Sequence, residues 1–217
     1  MNNVFSEEGF VESQVKGYRS PFLSYNSDSF RAVKANYLTY DSSIEEGFQF
    51  DQDGTNYVWP YTMDNGSPGN DFQEKYGVRP HLDSIKGVWE LPLYAMVTPT
   101  DAESAAYGIK AGFQDRLSQK TKWFEGYGKK VTGLDWNIAF EYGMTSDEQL
   151  GLLKYNLDKR MEGNRAPFIY GIHSNYYTDP GMQKALASFI DYALTKPEVR
   201  IITYIDFVNW MRNPSAL

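Results

Sequence analysis

The sequence contains no cysteine and has fewer basic than acidic residues. Without cysteine the chain forms no disulfides, thiolate nucleophiles or sulfur-ligated zinc sites. The 21 Lys and Arg residues stand against 28 Asp and Glu residues, which gives a formal net charge of -7. We therefore expect neither nucleic acid nor an anionic membrane as a partner, because both are bound by clustered cations. The sequence also lacks an apolar run of the length of about 18 residues that predicts a membrane-spanning helix.

Aromatic residues are abundant, with 17 Tyr, 13 Phe and 5 Trp. Sugar-binding surfaces use flat apolar faces with polar edges, which aromatic side chains supply. An aromatic-rich core with tyrosines at its edge explains the same composition, so both interpretations stay open. With 41% hydrophobic residues in 217 positions, the composition predicts one compact domain over residues 1–217.

Strand and helix patterns alternate through the second half of the chain, which predicts an α/β fold with parallel strands. Functional sites of such folds lie at the carboxyl ends of the strands. Thr145 and Glu148 have the spacing of a capping box at the start of a helix. Residues 45–86 lack a sustained period and predict a long irregular excursion. The predicted strands are 38–40, 88–96, 168–172 and 200–204, and the predicted helices are 28–37, 145–161, 180–196 and 205–211.

Three residues could form an acid–base site. His173 closes the apolar segment FIYGI, and its imidazole could exchange a proton near neutral pH. Asp135 and Trp136 place a carboxylate beside a large apolar plane, and the carboxylate could hold the His173 ring if the fold joins them. A hydrogen-bonded histidine at a strand end, and a loop aspartate beside a core tryptophan, are the structural alternatives.

The tetrapeptide RSPF at Arg19 to Phe22 has a near copy, RAPF, at Arg165 to Phe168. Arginine beside a rigid proline turn suits holding a carboxylate, although coincidence explains a single copy equally well. The only histidines are His81 and His173, far apart in the sequence. A catalytic zinc ion needs three protein ligands, so the sequence predicts no complete zinc site. It also lacks the Gly-x-Ser-x-Gly elbow of serine hydrolases.

Six segments, taken in order, resemble the polysaccharide deacetylases of carbohydrate esterase family 4, and most closely the animal-type chitin deacetylases. The ordered set covers almost the whole chain and is more specific than any one member. The segments are RSPF from Arg19, YDSSI over 40–44, VWELPL over 88–93, LDW over 134–136, NRAPFIYGIHS over 164–174 and the closing residues 204–211.

The resemblance implies the C-terminal part of a distorted (β/α) barrel that lacks its opening strands. It also implies a hydrolase that removes N-acetyl groups from N-acetylglucosamine polymers such as chitin or peptidoglycan. In that family a zinc-bound water attacks the acetamide carbonyl, aided by a carboxylate base and a histidine acid. The partner would be an N-acetylated polysaccharide, and the parent protein would be secreted, periplasmic or at the cell surface.

The family's motifs assign roles to individual residues. Arg19 would orient the base aspartate, and the backbone N–H of Phe22 would help to bind the oxyanion. Trp136 would form one wall of the acetyl pocket. We expect Trp89 and Tyr176 to contact the substrate as aromatic platforms.

The acid half of the family's site maps onto the second half of the chain. His173 would protonate the departing amine, and Asp135 would be the partner that tunes this acid. Gly171 stands where the family usually has leucine before the x-His pair. RAPF at Arg165 would then begin the strand that leads to His173.

The family's first two motifs, which supply the base and the zinc ligands, should precede Arg19, where only 18 residues stand. We therefore expect the C-terminal two-thirds of a deacetylase domain, inactive in isolation, from a truncated reading frame with Met1 as an internal start. The alternative is a non-catalytic sugar-binding module that uses Trp59, Trp89, Trp136 and the pair 176–177. An aggregating fragment without activity is the third hypothesis.

Overall fold

The computed structural model describes residues 14–215, apart from the side chains of Tyr176 and Tyr177. These residues divide into two compact units, each mixing helices and strands, and each is described separately below. The interpretation of residues 1–217 as a single domain stays a prediction. The first unit comprises residues 14–44, 60–92 and 201–215, and the second comprises residues 45–59 and 93–200.

The strands are short and the helices range from one turn to several. The strands are β1 (Gly17–Tyr18), β2 (Tyr40–Asp41), β3 (Glu45–Glu46), β4 (Tyr61–Thr62), β5 (Trp89–Glu90), β6 (Leu93–Tyr94), β7 (Met96–Val97) and β8 (Lys130–Val131). The α-helices are α1 (Ser27–Ala35), α2 (Pro68–Lys75), α3 (Asp101–Ser104), α4 (Phe113–Ser118), α5 (Trp123–Gly126), α6 (Ser146–Glu162), α7 (Pro180–Leu194) and α8 (Tyr204–Arg212). Short 3-10 turns cover Pro21–Leu23, Met63–Asn65, Ala105–Tyr107 and Ser174–Thr178, and a π-helix covers Asn137–Glu141.

The first unit contains a four-stranded sheet in the order β1-β2-β5-β4. Strands β1, β2 and β5 run parallel, and β4 is an antiparallel edge. The register places Asp41 between Tyr18 and Glu90. Three strands of the first half of the chain therefore present their carboxyl ends at one edge of the sheet, whereas the parallel strands were predicted for the second half.

Helix α1 begins earlier than predicted, because Asn26 rather than Asp28 is its N-cap. The Asn26 side chain accepts from the backbone N–H of Ser29, and the Ser29 hydroxyl accepts from that of Asn26. This reciprocal pairing satisfies two donors that the first turn would otherwise leave open. Tyr37 lies beyond the helix with a φ of 57° and is 93% exposed, so it does not extend the buried face.

Helix α2 lies inside the segment predicted to be irregular, so that prediction is wrong in part. Its buried face consists of Gly69, Asn70 and Gln73. The amide oxygen of Asn70 accepts a hydrogen bond from the Tyr25 hydroxyl. A helix that buries polar residues has no apolar period, and for this reason the sequence pattern did not reveal it.

The second unit is built mainly from α6 and α7, which pack against each other. The predicted capping box is confirmed, since Glu148 N donates to Thr145 Oγ1 over 3.2 Å and Thr145 N donates to Glu148 Oε2 over 2.9 Å. Helix α7 begins with Pro180 at its first turn, also as predicted. Leu152, Leu153 and Leu157 of α6 lie in the core of this unit, with Phe189 of α7.

The strand predictions are only partly correct. Residues 88–96 form three short strands interrupted at Pro92, which has no N–H to donate to a ladder. Residues 168–172 contribute one isolated bridge, between Gly171 and Leu134. Residues 200–203 are not a strand, and their Ile201 is 64% exposed.

The described residues form one four-stranded and two two-stranded sheets, and these make no closed barrel. The two small sheets pair β3 with β6 in parallel and β7 with β8 in antiparallel orientation. The α/β class thus holds, and a barrel of the deacetylase type remains a proposal. Within the described part of the chain, no helix has both the length and the apolar character needed to cross a membrane.

Candidate functional site

The backbone around Leu134 and Gly171 positions the two central side chains of the site. The N–H of Gly171 donates to the carbonyl of Gly133 over 2.8 Å, and the N–H of Asp135 donates to the carbonyl of Gly171 over 3.0 Å. Because the bridge is parallel, the residues that follow on both segments leave on the same side. Asp135 and His173 therefore come together.

Packing against Leu134 explains why position 171 is occupied by glycine. A Cβ built on Gly171 would overlap Cδ2 of Leu134. Leu134 thus fills the space that a larger residue at position 171 would need.

The Asp135 carboxylate is buried, and both of its oxygens accept hydrogen bonds. Its side chain is 3% exposed. Oδ1 accepts from the backbone N–H of Trp136 over 2.7 Å, and Oδ2 accepts from that of His173 over 2.6 Å. Oδ1 also lies 2.7 Å from Nδ1 of the His173 ring. A carboxylate only accepts hydrogen bonds, so Nδ1 carries the proton in this pair.

The His173 ring reaches solvent although its partner does not. Its side chain is 55% exposed, against 3% for Asp135. With Nδ1 fixed as a donor to Asp135, Nε2 is the nitrogen whose protonation state can change. The geometry is that of an imidazole oriented by a carboxylate, which is suited to proton transfer.

An exposed aromatic pair follows Asp135 directly in the chain. Trp136 is 48% and Phe140 62% exposed, and their rings stack with centroids 6.4 Å apart at 28°. The π-helix that begins at Asn137 places them one above the other, with Tyr142 N donating to Asn137 O over 2.9 Å. Such turns occur often at functional sites, and the stacked pair offers a flat, exposed apolar face.

Arg19, in the first unit, is held by neutral oxygens. Its Nε donates to the carbonyl of Ser42 over 2.7 Å, and Nη2 donates to Ser42 Oγ over 2.7 Å. Nη2 also donates to the Tyr204 hydroxyl over 3.1 Å. The guanidinium is thus fixed in place, and its role of orienting a carboxylate stays a prediction.

The two Arg-x-Pro-Phe tetrapeptides have different structures. In the first, Phe22 and Leu23 have φ values of 55° and 51°, and Phe22 is fully exposed. Two consecutive left-handed residues other than glycine are strained, and such strain concentrates at functional sites. In the second copy, Phe168 packs against Phe189 at a centroid distance of 5.2 Å. Only the first copy presents its phenylalanine to solvent.

The remaining predicted aromatic platforms are less clearly placed for binding. Trp89 is half-buried in β5. The Trp59 indole N–H donates to the carbonyl of Asn164 over 3.0 Å, which ties this ring to its own unit. The side chain of Tyr176 lies outside what the structure describes, so its substrate contact stays a prediction.

The sequence reasoning did not single out a buried acid pair, Asp41 and Glu90, in the first unit. Asp41 is 1% exposed and Glu90 is fully buried, and the two residues are register partners on the adjacent strands β2 and β5. A signal was present, because each acid ends a short strand of otherwise apolar or aromatic residues.

A zinc centre does not fit the residues that the structure describes. Among them, no three His, Asp or Glu side chains are grouped so that they could hold a metal ion. His81 instead pairs through Nδ1 with Glu74 Oε2 over 3.0 Å. Any metal ligands for deacetylation would have to come from elsewhere.

Comparison with known proteins adds no assignment. No protein-family model matches this chain, and no curated protein matches it. The functional interpretation therefore depends on the geometry of the side chains and on the motif resemblance described above.

Proposed function

We propose that His173 and Asp135 form the proton-donating part of a hydrolase that removes N-acetyl groups from N-acetylglucosamine polymers. The observation that carries this proposal is the 2.7 Å contact between His173 Nδ1 and Asp135 Oδ1, with the His173 ring half-exposed and an exposed tryptophan directly after Asp135 in the chain. The order of the motifs around these residues supports the same reaction class.

Amide hydrolysis needs a proton for the nitrogen that leaves. Asp135 holds the ring by accepting the Nδ1–H, so that Nε2 can carry a proton toward the departing amine of the sugar. The buried carboxylate fixes the direction of transfer, because it is anchored by two backbone N–H groups. The exposed indole of Trp136 would contact the acetyl methyl or the apolar face of the sugar ring.

Arg19 and Phe22 would serve the other half of the reaction. The guanidinium of Arg19 would orient a carboxylate base, and the backbone N–H of Phe22 would bind the oxyanion. The base and the metal ligands would come from outside the described residues, so no step is assigned to zinc. We accordingly expect no turnover by the isolated chain.

Binding without catalysis is the second candidate function. It is favoured by the stacked, exposed Trp136 and Phe140, which form a surface that a sugar-binding module would also need. The two functions differ in His173: catalysis requires its imidazole, whereas stacking requires only the aromatic rings.

Sugar binding is tested by titrating the chain with an N-acetylglucosamine tetramer and following tryptophan fluorescence. Trp136→Ala should weaken binding about tenfold or more, because a stacking platform is lost. Trp123→Ala is the matched control, since Trp123 is 62% exposed and stacks on Tyr127 at 6.0 Å. Equal losses in both variants, or no binding by the parent chain, would contradict the proposal.

Catalysis is tested in a longer polypeptide that joins this chain to a deacetylase N-terminal segment carrying the base and metal ligands. Acetate release from the same tetramer should fall at least about 100-fold in His173→Ala, since a general acid contributes about that much or more. If acetate release is unchanged in His173→Ala but lost in Trp136→Ala, only the binding function would remain.

A further inference from the structure

Residues 64–66 form a short link between two anchored points of the first unit. Before the link, Met63 is fully buried, and its N–H donates to the carbonyl of Val88 over 2.8 Å. The carbonyl of Met63 also accepts from Ile85 N over 2.8 Å. After the link, Ser67 is 1% exposed, and its side chain is the N-cap of helix α2. The main chain between these anchors therefore has little freedom to change its length.

The link contains an asparagine followed by a glycine, Asn65 and Gly66. Asn65 is exposed, and within the described part of the chain its side chain has no hydrogen-bond partner. Gly66 has a φ of 84°, and a Cβ built on it would meet only Ser84 Oγ, at 4.0 Å. Neither a side chain on Gly66 nor a close neighbour thus hinders the approach of the Asn65 amide to the Gly66 backbone nitrogen.

This arrangement permits deamidation through a cyclic imide. The Gly66 nitrogen gives its proton to water and attacks Cγ of Asn65, so that a new N–C bond forms while the C–NH2 bond breaks and ammonia leaves. The competing hydrogen bond from this N–H to Met63 O is long, at 3.3 Å. Water then opens the ring at one carbonyl to give aspartate, or at the other to give isoaspartate. The reaction consumes water, releases ammonia and needs no oxidant or reductant.

Isoaspartate routes the main chain through the former side chain. It would lengthen the link between Met63 and Ser67 by one methylene, about 1.5 Å. Ser67 can move to accommodate this only by giving up partners, because its hydroxyl lies 2.7 Å from the Tyr61 hydroxyl and 3.1 Å from Asn70 N. The N–H of Asn70 belongs to the first turn of α2, where a cap is the intramolecular acceptor. The added length therefore acts on this cap.

We propose that Asn65 is a site of spontaneous deamidation, and that its isoaspartate product, but not its aspartate product, releases the Ser67 cap of helix α2. The aspartate product keeps the length of the main chain. Its charge lies just before the N-terminus of α2, where the helix dipole favours a negative group. The site uses no residue of the His173 site and is independent of the proposed function.

Deamidation is tested by incubating the chain in mildly alkaline buffer, in which a backbone N–H ionises more readily. Peptide mass spectrometry should find at Asn65 the small mass gain of NH2 replaced by OH, and stepwise N-terminal degradation should stop at the isoaspartate fraction. Asn26, followed by Ser27, is the internal control, because its side chain is held by Ser29 N over 2.9 Å. An unchanged Asn65, or equal conversion of Asn26, would overturn the site.

The effect on helix α2 is tested by amide hydrogen exchange of the separated products, followed by NMR. The N–H of Asn70 should exchange about fivefold faster in the isoaspartate form, the factor that corresponds to loss of an N-cap. Asn65→Asp is the matched control, because it supplies the charge without the methylene, and it should exchange like the parent chain. An unchanged rate in the isoaspartate form, or the same increase in Asn65→Asp, would overturn the release of the cap. Neither result depends on sugar binding.

Discussion

Asp135 and Asp41 are both buried aspartates that follow or end a strand-like segment, and each accepts a hydrogen bond from a backbone N–H just downstream. Their partners differ. Asp135 pairs with an imidazole that is 55% exposed, whereas Asp41 pairs with the fully buried Glu90. Burial of an acid therefore does not identify a reaction site by itself. Transfer of a proton to a ligand also requires that the partner of the acid reaches solvent, as His173 does.

The largest expected effect is the loss of the Asp135 carboxylate. Asp135→Ala should lower the free energy of unfolding by about 4 kcal/mol, because the backbone N–H groups of Trp136 and His173 would lose their buried acceptor. Urea denaturation measures this change. His173→Ala should cost less than about 1 kcal/mol, since its ring is half-exposed. Equal costs would show that the pair is held together as a structural unit.

The acid pair should make stability depend on pH. The folded-state pKa of Asp41 lies at about 6, above its ordinary value of 3.8. A raised folded-state pKa of an acid gives a contribution that is full below pH 3.8 and is lost as pH rises through about 6. Between those two pH values the free energy of unfolding of the parent chain should fall by up to about 3 kcal/mol relative to that of Asp41→Asn.

Denaturation of the parent chain and of Asp41→Asn at several pH values measures the difference between their free energies of unfolding. This difference removes the contribution of the titratable groups that both proteins share. A difference that stays constant, or that grows in favour of the parent as pH rises, would contradict the raised pKa of Asp41.

A smaller effect should distinguish the two aspartates when each becomes asparagine at neutral pH. Asp135→Asn should cost about 2 kcal/mol, because one of its oxygens, an acceptor for backbone or ring N–H, is replaced by a donor. Asp41→Asn should cost less than about 1 kcal/mol, because at neutral pH the neutral amide removes a buried carboxylate whose charged form is disfavoured by burial. Thermal or urea unfolding compares them. If Asp41→Asn cost more than Asp135→Asn, the proposed difference between the two aspartates would be wrong.

Local signals in the sequence predicted some elements well. The start of helix α6 agrees with its predicted capping box. Its buried face contains Leu153 and Leu157 but also the polar residues Gln149, Asn156 and Arg160. The strand predicted at 200–204 failed because a β-branched run needs a partner strand, and Ile201 and Ile202 remain exposed in the described structure. Helix α2 was missed because its buried face is polar.

The sequence likewise predicted some features of the candidate site and missed others. The contact between Asp135 and His173 agrees with what the motif resemblance implied, although their catalytic role stays a proposal. The pairing of Asp41 with Glu90 depends on strand register between distant segments, which composition and periodicity do not encode. The left-handed backbone at Phe22 likewise could not be predicted, because the position carries no glycine.

The most direct test of the His173 site observes the two histidines together. The ring carbon signals of His173 and His81 can be followed by NMR while an N-acetylglucosamine tetramer is added to the chain. Binding at the proposed site predicts a saturable change at His173, with His81 unchanged beside Glu74. No change at His173 under saturating sugar, or equal changes at both rings, would contradict the assignment of His173 as the proton donor.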